Sequence, residues 1–311
     1  MKIVSCALAL AVVGTASASY ELMFATDRVG QKINRYDAIS GAYLGSFGQG
    51  FSASFSRMTP DPATGTLYVG DNSSERILKF NYNTGEFMGF IPTTGYNTYQ
   101  CLRLSDGSFV VGGEQTTYGR FSSTGVKLDT FSYPVTVLGL TQASNGFVYA
   151  VGFNGQIYRT DVSNTSVSLV TTIPGSPVSI GIKAQGNTLA ITSYDDAVRT
   201  TVFTVKADGT FGSTLGSIDL GSGNANILVG REVAFGHNGL IYTLVEDLTA
   251  QKNYAVSYHY ATTKVIRQMD LGINGNGVGC LGLSTIVAPE PSTWAAMGLG
   301  LLFVARRRKA A

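Results

Sequence analysis

The chain has 311 residues, of which 14% are charged, 38 are Gly, 16 are Tyr and 16 are Phe. Against roughly 25% charged residues in an ordinary soluble domain, this composition favours tight turns and aromatic-rich strands. The formal charge of +2 resides at the ends: Lys2, Arg306, Arg307, Arg308 and Lys309 are five of the 22 basic residues, so 17 basic residues face 20 acidic ones between them. The main body is mildly acidic, which excludes the basic patch that a nucleic-acid partner requires.

Residues 1–18 read as a secretory signal. Lys2 supplies the positive start, Ile3 to Val13 is apolar, and Ala16-Ser17-Ala18 is a small-residue cleavage site ahead of Ser19. The alternative, a short buried helix, lacks this ordered grammar.

From Leu22 to Ile286 the pattern is one of short strands. The most legible strand of each unit begins near Leu22 (LMFAT), Leu67 (LYVG), Phe109 (FVVG), Phe147 (FVYAV), Leu189 (LAIT) and Leu240 (LIYTL). The spacings are 45, 42, 38, 42 and 51 residues, and five of the six strands follow a turn signal such as ATG, SDG or HNG. A period of 40–50 with four strands per unit is the signature of propeller blades. A sheet this small cannot bury two apolar faces alone, whereas a ring of sheets packed face to face can, leaving only short protected edges. The expected fold is all-β, a six-bladed β-propeller over residues 19–286, flanked by an N-terminal signal helix and a C-terminal hydrophobic helix.

The closure of the ring is also legible. The first unit has no innermost strand, because only three residues separate the cleavage site from Leu22. One strand-like run, Val278 to Ile286, is left over at the far end, and its CLGLS matches the CLRLS that begins at Cys101. The last strand is therefore expected to complete the first blade. Five or seven blades follow if a long unit, such as that from Val178 to Gly221, is divided differently. Equivalent positions on blades 1 and 3 lie too far apart around the axis for a disulfide, which needs Cα atoms within roughly 7 Å. Cys101 and Cys280 are expected as two buried thiols.

The unit LYVGDNSSERILKF followed by NTGEFMGF carries Asp71, Asn72, Arg76, Ile77, Phe80, Gly85 and Phe87 in a pattern that resembles an NHL repeat. The first unit is a weaker version, and the other four agree only in period. The resemblance implies a propeller and says little about a ligand.

Beyond Ile286 the sequence changes character. Val287-Ala288 leads to Pro289-Glu290-Pro291, Ser292-Thr293-Trp294, an uncharged run to Ala305, and then Arg306-Arg307-Arg308-Lys309. The prolines break regular structure and make an accessible joint. The uncharged span of 15 residues would be about 22 Å long as a helix, against a bilayer core of ~30 Å. It is a marginal anchor, helped by Trp294 at an interface and by snorkelling of Arg306, Arg307 and Arg308. The arrangement over 287–311 resembles the PEP-CTERM sorting signal of bacteria with an exosortase. That resemblance implies a transiently membrane-held precursor cut near Pro289-Glu290-Pro291, after signal cleavage between Ala18 and Ser19. It further implies cell-surface or extracellular delivery, exosortase and the secretion machinery as partners, and association with exopolysaccharide, biofilm or surface proteins.

Chemistry is harder to find. Acidic residues follow the second strand of five units: Asp27, Asp71, Glu114, Asp195 with Asp196, and Glu246 with Asp247, while the fourth unit has Asn154. These loops share one face, so a partial carboxylate ring could hold Ca²⁺ or assist hydrolysis, with Asp71, Asp195 and Asp196 as the metal candidates. Turn stabilisation is the simpler role, with Asp71 pairing to Arg76. His237 and His259 read as a turn and a strand residue. Tyr96, Tyr99, Tyr118 and Tyr194 could stack on sugar rings, although plugging blade edges is their commoner use. No known catalytic motif is present, so neither catalytic nor cofactor-binding residues are expected. The leading expectation is a non-catalytic surface or matrix interaction module. A metal-dependent extracellular enzyme of lactonase or glycan lyase type, and a purely structural matrix component, are the alternatives.

Overall fold

A computed structural model of the chain describes residues 20–51, 53–113, 115–174, 178–194, 198–220, 228–236, 239–274 and 282–288. They form 24 strands in six four-stranded antiparallel sheets. Blade 1 consists, from the inside outward, of β24 (Leu283–Ala288), β1 (Tyr20–Asp27), β2 (Lys32–Asp37) and β3 (Tyr43–Phe47). Blade 2 is β4 (Phe55–Asp61), β5 (Thr66–Asp71), β6 (Arg76–Asn81) and β7 (Phe87–Pro92). Blade 3 is β8 (Gln100–Arg103), β9 (Phe109–Gly112), β10 (Thr117–Phe121) and β11 (Lys127–Ser132). Blade 4 is β12 (Val137–Gln142), β13 (Val148–Gly152), β14 (Gln156–Asp161) and β15 (Ser166–Thr172). Blade 5 is β16 (Val178–Gln185), β17 (Thr188–Tyr194), β18 (Val198–Val205) and β19 (Phe211–Asp219). Blade 6 is β20 (Leu228–Phe235), β21 (Leu240–Asp247), β22 (Lys252–His259) and β23 (Lys264–Asn274). The long unit beginning at Val178 is thus one blade with long strands, β16 to β19, and the described residues form six blades.

The burial gradient across each blade explains the residue choice. Second strands are apolar on both faces, as in β9 and β13, where every side chain is buried, because each sheet is covered by a neighbour on either side. Outermost strands meet water, and β7 exposes Phe87, Met88 and Phe90. The seam between blades 1 and 2 is aromatic, with Phe24 and Phe47 of blade 1 packing on Tyr82 and Phe80 of blade 2. Elsewhere buried tyrosines tie neighbours together. Tyr118 of blade 3 donates to the Val137 carbonyl of blade 4 at 2.8 Å. Tyr149 of blade 4 donates to the Gly209 carbonyl of blade 5 at 3.1 Å, and Tyr36 of blade 1 donates to the Leu271 carbonyl of blade 6. Each buried hydroxyl is thereby satisfied by a carbonyl of the neighbouring blade.

The chain's last described strand closes the ring. β24 lies beside β1, and the Thr26 amide donates to the Gly282 carbonyl at 3.1 Å while the Gly282 amide donates to Thr26 Oγ1 at 2.8 Å. Cys101, on the innermost strand of blade 3, is a buried free thiol, and burial pushes its pKa up to about 12. Cys280 and the expected terminal helices lie outside the described residues. Among those residues, no helix is long and apolar enough to cross a membrane.

Candidate axial binding cup

The innermost strands all run in the same sense, so their C-terminal ends and the turns that follow surround one mouth of the central channel. Second strands run the other way, and their ends define the opposite face. This polarity decides which candidate residues can meet.

On the second-strand face the expected acids occupy equivalent places, and those the structure describes are committed internally. Asp71 is fully buried, accepts from Arg76 Nε at 2.8 Å and accepts from Ser73 Oγ at 2.7 Å. Asp27 accepts from the Gly30 amide at 2.7 Å and faces Lys32 Nζ at 3.8 Å. Glu246 is buried and pairs with Arg231 at 2.6 Å, while Asp247 caps the turn amides of Thr249 and Ala250. Asn154 is exposed in the matching turn of blade 4. Among the described residues, no group of three or more His, Cys, Asp or Glu could hold a metal ion. Glu114, Asp195, Asp196 and His237 lie outside them, as do Ala18, Ser19, Pro289, Glu290, Pro291, Trp294, Arg306, Arg307 and Arg308.

The aromatic candidates are likewise absorbed into the wheel. Tyr99 and Tyr118 are buried, and the one Tyr118 hydroxyl proton is shared between the Gly113 carbonyl at 2.6 Å and the Val137 carbonyl at 2.8 Å. Tyr96 sits under Lys127, whose Nζ is 4.8 Å from the ring centroid. His259 stacks on Tyr260 at the end of a third strand. Tyr194 ends β17, and its side chain lies outside what is described.

The unexpected chemistry is on the axis. In blades 2, 4, 5 and 6 the innermost strand carries a β-bulge against its partner at a matching level. A bulge leaves one residue outside the ladder and re-aims its groups. In blade 2, Ser56 and Arg57 together face Gly70, and Arg57 crosses the channel. Its Nη2 donates to the carbonyls of Leu138 in blade 4 at 3.1 Å and Arg231 in blade 6 at 3.2 Å. Its Nη1 forms an ion pair with Glu232 of β20, and both side chains are buried. Leu138 and Arg231 are the bulge residues of their own strands, so Arg57 takes carbonyls that the ladders have released. Gln100 of blade 3 donates to the same Leu138 carbonyl at 2.6 Å. One guanidinium that reaches from blade 2 to blades 4 and 6 must lie at the hub.

Above this plug is a cavity of about 490 Å³ whose lining comes from all six blades. Near its floor Lys183 of β16 is half-buried, and its Nζ donates to the Met58 carbonyl at 3.3 Å. No described carboxylate pairs with it. Burial first, and then the nearby Arg57 charge, push its pKa down to about 8, as expected for an ammonium surrounded by protein and facing a second cation. Arg103 on the wall is held by Asp61 Oδ2 at 3.3 Å. Thr59 and Thr285 donate their hydroxyl protons to the Cys101 and Phe235 carbonyls, so each can offer only lone pairs to a guest. The cup is a concave, positively charged site of the size that small ligands use.

Sequence reasoning missed Arg57, Gln100, Lys183 and Glu232. The signal available was a charged or amide residue interrupting an innermost strand, as in SFSRMTP, QCLR, GIKAQ and REVAF.

Comparisons with solved structures find the same architecture. A chain of the nidogen/laminin complex aligns with a TM-score of 0.65 at 13% identity, covering 85% of this chain and 97% of that one. Virginiamycin B lyase from Staphylococcus aureus aligns at 0.56 and 13% identity, covering 79% and 80%. Kuenenia stuttgartiensis hydrazine synthase aligns at 0.56 and 12%, covering 79% and 82%. Identities this low speak to the fold alone. No curated protein matches the sequence. Residues 287–309 match the PEP-CTERM protein-sorting motif. The protein is therefore an exosortase-sorted, exported six-bladed propeller, a membrane-anchored precursor destined for the cell surface or the extracellular space.

Proposed function

We propose that the mature protein is a non-catalytic interaction module of the cell surface or extracellular matrix, engaging exopolysaccharide or surface proteins through its propeller. The observation that carries the reading is the joining of a sorting motif at residues 287–309 to a closed wheel with an axial cup. Residues 1–18 serve as the signal peptide, 19–286 as the propeller and 287–311 as the sorting tail. The apolar run after Pro291 holds the precursor at the membrane, with Trp294 and Arg306, Arg307 and Arg308 at its two ends, until exosortase cuts near Pro289-Glu290-Pro291. The NHL-like pattern of blade 2 belongs to the scaffold, since Asp71 and Arg76 pair with each other across the β5–β6 turn. In the cup, Glu232 is committed to Arg57, and its basic groups are suited to holding an anion.

Expression of the full chain in an exosortase-bearing host, with and without the exosortase, tests this. Wild-type protein should leave the membrane fraction in a C-terminally shortened form. Replacement of Pro289, Glu290 and Pro291 by Ala should leave it full-length and membrane-bound. Equal processing of both forms, or retention of the wild type inside the cell, would refute the proposal.

A further inference from the structure

We propose that the axial cup is a binding site for an acidic saccharide, with Lys183 taking the ligand carboxylate and the threonine-lined wall accepting its hydroxyls. This deepens the reading of the protein as a binding module and rests on it.

The argument starts from what the cup lacks. Lys183 presents three N–H donors and makes one described hydrogen bond, to the Met58 carbonyl. The charged and titratable groups facing it are Arg57 from β4, held by Glu232 of β20, and Cys101 from β8. Arg103 also stands on β8, with its charge answered by Asp61. Among the described residues, two cations and a neutral thiol leave the ammonium without a counter-charge of its own, and it lines the cup. A guest anion would supply the missing partner.

The wall then selects among anions. Thr59 and Thr285 have spent their protons on the Cys101 and Phe235 carbonyls. Thr141 Oγ1 accepts the Ala184 amide at 2.9 Å and keeps its own proton for a guest. The spent hydroxyls of Thr59 and Thr285 would repel sulfate, phosphate or a dicarboxylate, which are rich in acceptors at neutral pH. They would pair with ligand hydroxyl groups. Phe235 adds an aromatic surface to the lining. A ligand with one carboxylate and several hydroxyls satisfies both demands, and a uronic acid is the simplest such molecule.

The test is calorimetric titration of the full chain in mild detergent with D-galacturonate, D-galactose and sulfate at pH 7 and pH 9. Because the Lys183 pKa lies at about 8, its charged fraction falls about tenfold across that interval. Galacturonate should bind at pH 7 at least tenfold tighter than galactose or sulfate, and weaken about tenfold at pH 9. Lys183→Met should lose the preference for the acid over the neutral sugar. Lys183→Arg, whose charge does not titrate, should retain binding at both pH values. Equal binding of galacturonate and galactose, sulfate binding as tight as galacturonate, absence of galacturonate binding, or an unchanged pH dependence in Lys183→Arg would each overturn the assignment. Failure here with intact surface delivery removes the ligand assignment alone, whereas failure of processing strikes the module reading itself.

Discussion

Replacing Glu232 by Gln probes the hub most sharply. The substitution keeps the shape of the side chain and its capacity to accept the Val233 amide, now 3.1 Å from Glu232 Oε1. It removes the negative charge with which Glu232 answers Arg57, and both partners are almost wholly shielded, with side-chain exposures of 5% and 2%. An unanswered guanidinium at such a site costs about 3–5 kcal/mol. The Leu138 and Arg231 carbonyls remain as acceptors, so the lower end, about 3 kcal/mol, is expected. For a chain this long that corresponds to a fall in Tm of about 6–12 °C. Urea denaturation followed by far-UV circular dichroism is the assay, because the only tryptophan, Trp294, lies in the tail. The double variant Arg57→Met/Glu232→Leu removes both charges and leaves the Arg231 carbonyl without Arg57, while Leu138 keeps Gln100. Its loss should be about 1–2 kcal/mol, smaller than that of Glu232→Gln alone. A loss below about 1 kcal/mol for Glu232→Gln, or a double variant as unstable as the summed single variants, would refute the reasoning.

Three further outcomes follow from the same geometry. Gly70→Ala would place a Cβ 1.9 Å from the Thr98 carbonyl oxygen and 2.5 Å from Ser56 Oγ, and since the nearer obstacle is backbone, urea midpoints should show a loss of about 3 kcal/mol. A native-like midpoint would mean the seam between blades 2 and 3 is looser than described. Lys183 has a folded pKa of about 8 against an ordinary 10.5, so the unfolded chain binds more protons between these values and stability should rise with pH from about 8. Cys101, raised by burial from 9.0 to about 12, imposes the opposite slope on both proteins over the same range, so Lys183→Met should lose stability between about pH 8 and 9.5 while the wild type keeps a more positive slope; equal slopes in both proteins would contradict it. Finally, the Thr26 amide should exchange with solvent only through global opening, as an interior strand does, because the Gly282 carbonyl covers it. Exchange at the rate of an exposed edge would deny the closure.

The wheel was legible because its signals are local and repeated. Each second strand begins within two residues of its sequence expectation, with Tyr20 opening β1, Phe109 opening β9 and Leu240 opening β21. Turn residues and unbroken apolar runs mark every unit alike. The closure was legible because a strand was missing at one end and spare at the other, and the tail because its three parts are contiguous. The cup was not legible, for a physical reason. Arg57, Gln100, Lys183 and Glu232 are single interruptions in strands far apart in the chain, and their meeting depends on bulges that shift register by one residue. The acids after the second strands gave a stronger repeating pattern, yet the pattern belongs to turns: Asp71 answers Arg76 and Asp27 faces Lys32. Periodicity reports what every blade needs, whereas a central site is made from what individual blades do differently.

The most direct test of the account is a crystal structure of the full chain soaked with D-galacturonate. It predicts a carboxylate about 2.8 Å from Lys183 Nζ, above the Arg57–Glu232 pair, at the mouth where the innermost strands of all six blades end. Density on the opposite face beside Asp71, or an axial mouth left empty at saturating ligand, would contradict it.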